Sequence, residues 1–186
     1  MTLSPPRKIG LGFAAGAALA LIAVALATRG PVLPPTQDLS TELARAFARA
    51  QDGALALSPA GQVGRVVLEA DGVAAQSAPS FRPRHIDAQG AAAVTLLKRR
   101  GVLVRYRGDV EGAFAVISLR GARGDLSQDS GTLELANRRF TTFDRTPPGQ
   151  PGLRGVGQLA SGHLVFVVGP QRFEVLAHLA VMIPPG

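Results

Sequence analysis

Hydrophobic residues form one unbroken block near the start of the chain. Residues 9–27, IGLGFAAGAALALIAVALA, run for 19 positions without a charge. As a helix rising ~1.5 Å per residue, the block spans roughly 28 Å, close to the ~30 Å hydrocarbon core of a bilayer. No polar face interrupts it, which argues against a buried core helix. Arg7 and Lys8 precede it and only Arg29 follows closely. That asymmetry places residues 1–8 in the cytoplasm and the chain after Thr28 across the membrane. The block reads as a retained signal anchor, being longer than the usual signal-peptide core. Ala25-Leu26-Ala27 also has the small-x-small form of a cleavage site, so a cleaved signal is the other reading. Gly12 and Gly16 form a G-x-x-x-G, which allows two membrane helices to approach closely, although short Gly/Ala spacings are common.

Beyond the block the periodicity changes several times. Residues 28–36, TRGPVLPPT, hold three prolines and predict a stiff, extended linker. Asp38 is placed to cap a helix over Leu39–Gln51, with Leu39, Leu43, Phe47 and Ala50 on one face, Arg45 and Arg49 off it, and Gly53 to end it. Ser58-Pro59 predicts a second helix start, with Pro at the first helical position and Val63, Val66, Val67 and Ala70 as the apolar stripe closed by Asp71-Gly72. Residues 76–84 are polar with two prolines and read as loop. Residues 91–97, AAAVTLL, fit a strand or a third helix equally. Residues 102–107 and 113–119 alternate or run apolar around Gly108 and Gly112, a hairpin pattern. Residues 120–131 form a polar loop. Residues 132–136 and 139–143 flank Asn137-Arg138 as a second hairpin. Residues 146–157 hold three prolines and four glycines and predict no regular element. His163 to Val168 predicts an almost continuously apolar strand, expected at the sheet centre with Phe166 covered by Phe173 and Leu176. Gly169-Pro170 is expected to open a closing helix. The sum is an α+β fold: an N-terminal transmembrane helix, then one small domain, residues 37–186, in which two early helices and a C-terminal helix pack against one face of an antiparallel-rich sheet.

Composition narrows the compartment and the partners. Arg supplies 18 of the 20 positive charges, which together with the Ala, Gly and Pro content suggests a high-GC bacterium. Without Arg7 and Lys8 the exported part keeps 18 basic residues against 13 acidic, a net of +5. The chain has no Cys, so no disulfide braces the fold. The expected location is the bacterial inner membrane, single-pass, with the domain on the extracytoplasmic side. The expected partners are membrane lipid along residues 9–27 and an envelope protein. Nucleic acid is not expected, because the compartment is wrong and Tyr106 is the only aromatic near the basic cluster.

The stretch over residues 102–183 carries a resemblance. An apolar hairpin around Tyr106-Arg107-Gly108 is followed by a polar loop and a second short hairpin. Then comes G-H-L-V-F-V-V-G, and last a helix with F-E-V-L-A-H-L-A. This order resembles the extracytoplasmic domain of membrane-spanning anti-sigma factors of the extracytoplasmic-function type. In that family a variant of gly-leu-x-tyr-x-leu-val, then glu-leu-leu-x-leu-ala, closes the domain. The Ser58-Pro59-Ala60 helix start suits the same layout. The resemblance implies a sensing or scaffolding role. It departs from the family at the front, where members carry a cytoplasmic sigma-binding domain, often with a His and Cys zinc motif. Here eight residues precede Ile9 and there is no Cys.

No constellation of residues fixes a chemistry. His85, His163 and His178 lack metal-ligand spacing, so no metal or other cofactor is expected. No G-x-S-x-G surrounds a Ser, and Asp109 and Glu111 share a turn. Gly155-Val-Gly157-Gln-Leu-Ala160 matches G-x-G-x-x-A but precedes a strand, the reverse of a dinucleotide site. The expectation is therefore a binding or regulatory module with no catalytic residue, and the alternatives are an envelope structural protein or an envelope enzyme. The densest charge cluster is Lys98, Arg99, Arg100, Arg105 and Arg107. It reads as a solvated sheet face or edge, or as a contact for an anionic surface such as lipid head groups or an acidic partner.

Overall fold

In the computed structural model, residues 38–70, 85–121, 131–146, 152–160 and 162–183 are described. Residues 1–37, with the apolar block, Gly12, Gly16 and the Pro-rich linker, lie outside them, as do 71–84 and 122–130. Among the described residues no helix is long and apolar enough to cross a membrane.

The first helix, α1 (Leu39–Gln51), forms where the cap and the stripe demand it. Asp38 accepts a hydrogen bond from the Thr41 backbone N–H at 2.6 Å, and Gly53 takes φ +73° just past the end. Leu39, Leu43, Phe47 and Ala50 are buried, while Arg45 and Arg49 are exposed. The second start differs from the expectation. Ser58 and Pro59 form a two-residue strand, β1 (Ser58–Pro59), and a 3-10 turn (Ala60–Gln62) precedes α2 (Val63–Ala70). The residue before a proline is held extended, so Ser58 is shaped to pair rather than to coil.

The ambiguous stretch is a strand, β2 (Ile86–Leu96), with a bulge between Ala88 and Gly90. Gly90 is required there, because a Cβ would sit 2.6 Å from the Ser58 carbonyl oxygen. A two-residue turn, Leu97-Lys98 at φ +47° and +65°, leads into β3 (Arg99–Gly108). The expected hairpin then joins β3 to β4 (Gly112–Arg120). The next hairpin, β5 (Gly131–Leu135) with β6 (Arg138–Arg145), turns on Ala136-Asn137 at φ +50° and +60°, one residue earlier than expected. A further strand, β7 (Leu153–Ala160), occupies the end of the stretch expected to hold no regular element. β8 (His163–Gly169) follows, and α3 (Phe173–Val181) closes the fold, starting three residues after Pro170.

The eight strands form one antiparallel sheet in the order β1-β2-β3-β4-β8-β7-β6-β5. This is an α+β fold, with β8 at the centre as expected. The helices cover both faces, however, and not one. On one face α1 packs over Leu103, Ile117, Leu164 and Phe166. On the other, Leu176 and Leu179 of α3 pack over Val104, Val116, Val165 and Val167, with Val63 and Val66 of α2 at the margin. β4 and β8 explain this. They are apolar at nearly every position, so each face exposes a hydrophobic surface that needs its own cover. Phe166 consequently meets the α1 side, whereas Phe173 and Leu176, expected to cover it, lie across the sheet.

Candidate functional site

The basic cluster of the sequence does not stay together. Lys98, Arg99 and Arg100 lie at the β2–β3 turn, whereas Arg107 stands at the far end of β3, eight residues or roughly 26 Å from Arg99 along the strand. Arg105 is half-buried under α1. Its Nη1 donates to the Ala50 carbonyl at 3.2 Å, in the last turn of α1. A cation there meets the negative end of the helix dipole and a carbonyl with no helical partner. Arg105 is therefore an anchor for α1 and is removed from the surface set. Its Nε is buried without a hydrogen-bond partner. Arg107 is exposed and directly opposite Asp87 in register. Arg99 donates to the Arg120 carbonyl at 3.4 Å, which brings a fourth basic residue to the turn end of the sheet. Nothing in the sequence announced Arg120, because its place depends on the β3–β4 register.

The same end of the sheet borders a groove of about 350 Å³ between α1 and the edge of β2. Arg45, Ala46, Arg49 and Leu55 form its walls, and residues 93–96 form its floor. Arg45 pairs with Glu42 at 2.8 Å, and Arg49 makes no ion pair among the described residues. Both arginines were legible as the polar side of α1. Their position beside a sheet edge was not, since it depends on how α1 crosses the sheet. That crossing is held at both ends: Arg105 of β3 ties the C-terminus, and Arg145 of β6 reaches Asp38 at 3.3 Å.

Among the described residues no three His, Asp or Glu side chains are grouped to hold a metal ion. His85 and His178 are exposed, and His163 is buried at the start of β8. Asp109 lies in the β3–β4 turn, and the Glu111 carbonyl accepts from Gln171 Nε2 at 2.6 Å, a contact that joins this turn to the start of α3. Burial raises the Asp38 carboxyl, but the Thr41 hydrogen bonds and the Arg145 charge outweigh it, so the carboxyl ends below its ordinary value. Burial pushes the Tyr106 phenol up to about 12. Tyr106 stacks on Phe114 with ring centroids 5.5 Å apart, which makes it a core residue and not a base-stacking platform. The Gly155 to Ala160 pattern is spent on β7, with no helix N-terminus behind it to receive a phosphate.

Compared with protein-family models, with curated proteins and with solved structures, the chain matches none.

Proposed function

We propose that the chain is a membrane-anchored extracytoplasmic binding or regulatory module, similar in role to the sensor half of a transmembrane anti-sigma factor. The observation that carries this reading is the uncharged block at residues 9–27 with Arg7 and Lys8 before it. It makes the block a single-pass anchor in the bacterial inner membrane and sends residues 28–186 outward. The domain itself supports a binding role in two ways. Its core side chains are spent on packing two sheet faces, and Arg45 and Arg49 line a groove beside the sheet edge whose turn carries Lys98, Arg99 and Arg100. The basic exported surface suits acidic partners or anionic head groups.

Alkaline phosphatase fused after Gly186 is expected to be active in whole cells, and a cytoplasmic reporter at the same position silent. The opposite pattern overturns the topology. Sequencing the mature N-terminus separates anchor from cleaved signal, since cleavage leaves a chain that starts at Thr28. Crosslinking in intact cells is expected to capture an envelope protein, and a chain that captures none has lost the binding role.

A further inference from the structure

We propose that the open edge of β2 along residues 93–96 docks an extended acidic segment of a partner protein, which joins the sheet as an added strand. This deepens the binding-module reading and rests on it, and it names the surface and the chemistry of the partner.

The edge is identified by its backbone. β1 covers only Gly90 and Ala91 of β2. The turn at Leu97-Lys98 closes on the pair Leu96 and Arg99, so Leu96 and Val94 exchange hydrogen bonds with β3. By the same alternation the N–H and C=O groups of Ala93 and Thr95 point away from β3, and no described strand takes them. Exposed edges are normally guarded by charge, proline or short length. Residues 88–96 contain neither a charge nor a proline. The free edge is four residues, about 13 Å, which matches a short linear segment.

The surroundings choose the occupant. Val94 and Leu96 face α1, whereas Ala93 and Thr95 are exposed on the other side. A strand added in register places the residue opposite Val94 into the groove, between Arg45 and Arg49. On the other face Arg100 stands directly across β2 from that strand, paired in register with Thr95, and Lys98 lies at the end of the edge. Among the described residues four cations thus flank the free backbone, and Glu42 is the one carboxylate that lines the groove. A second copy of the chain would bring these cations against their own images. An acidic extended segment meets them with opposite charge, while main-chain hydrogen bonds supply affinity and alternate side chains supply selectivity.

The test uses the full chain purified in a mild detergent and two labelled heptapeptides, one alternating Val and Glu, the other Val and Lys. The glutamate peptide is expected to bind at least about tenfold more tightly at low salt and to slow amide exchange at Ala93 and Thr95, but not along β5. Arg49→Glu changes an exposed residue and is expected to weaken binding about tenfold. Thr95→Pro removes an outward N–H and leaves the bonds to β3 intact, so binding is lost at an unchanged thermal midpoint. Equal binding of both peptides, or protection that ignores Thr95→Pro, overturns the proposal. So does a sedimentation dimer that Thr95→Pro dissociates, which assigns the edge to a second copy. If the peptides fail while the chain still captures an envelope protein in cells, the edge falls and the module stands. If the peptide binds but cells yield no captured partner, the module falls instead.

Discussion

β7 and β8 are neighbours in the sheet, yet their sequences look like opposites. β8 is apolar from Leu164 onward, and every residue of it, His163 included, is buried. β7 reads LRGVGQLA, with two glycines, an arginine and a glutamine, directly after a Pro-rich stretch. Nevertheless six of its eight residues are buried, as deeply as a core strand requires. The difference lies in who fills the space. β8 brings its own large side chains. β7 yields space to the rings of its neighbours, because a Cβ on Gly155 would run into Phe143 and one on Gly157 into Phe166. Glycine in a strand is thus a cavity offered to an aromatic from the next strand. Gln158 is satisfied in the same cooperative way, donating to the Ala180 carbonyl of α3 at 3.0 Å. A strand that depends on its neighbours for packing carries little hydrophobic pattern of its own.

The largest effect should come from emptying the space that β8 fills. Phe166→Ala is expected to cost about 3–5 kcal/mol, read as a lower urea midpoint at constant slope. The ring is fully buried and packs against Phe143 at 6.1 Å between centroids. A near-neutral result would mean that the centre of the sheet is elsewhere. Next, Gly157→Ala tests whether β7 is a packed strand or a tolerant loop. A glycine in a loop gains about 0.4–1 kcal/mol from alanine. Here the Phe166 ring must be displaced, so a loss of about 1–3 kcal/mol is expected, and the sign of the change decides.

A smaller effect belongs to the joint between α1 and the β6 flank. Asp38→Ala removes the cap of α1 and should cost about 1 kcal/mol at neutral pH. Asp38→Asn keeps a capping side chain but removes the charge that faces Arg145. The folded carboxyl lies below its ordinary value, so its contribution is present above the unfolded pKa, about 3.9, and is lost as pH falls through the folded one. The gap in thermal midpoint between wild type and Asp38→Asn should therefore close below about pH 4. A gap that widens in acid would show the ion pair to be absent. The smallest effect is expected at Arg154. As a loop residue it would cost under about 0.5 kcal/mol to replace. On β7 it reaches Asp144 at 3.2 Å and lies 5.8 Å from the Phe173 ring centre, so Arg154→Ala should cost about 0.5–1 kcal/mol. A double-mutant cycle with Asp144→Ala separates the two contacts.

The elements that local chemistry specifies were legible one residue at a time. α1 carries its cap, its stripe and its terminal glycine within 16 residues, and β8 carries an apolar run too short for a helix and bounded by glycines. The β3–β4 hairpin shows its turn glycines at Gly108 and Gly112. The β2–β3 turn shows none, since Leu97 and Lys98 adopt the left-handed conformation without being the residues that favour it. That is why residues 91–97 fitted strand and helix alike. The candidate site was legible only in part. Lys98, Arg99 and Arg100 form a cluster because they are consecutive, and any fold would keep them together. Arg105 left the cluster because the C-terminus of α1 came down beside it, and Arg45, Arg49 and Arg120 came near the turn from other elements.

By itself, then, the sequence determined the α+β class, the first and last helices, the central strand and the net positive charge, because each depends on neighbours within a turn or a strand length. Tertiary structure alone decided the strand order, the placement of helices on both faces, the existence of β7 and the open edge of β2. Each of these depends on which surfaces meet across many residues of chain. A pattern of apolar positions states that a surface must be covered, and only the folded sheet determines by what.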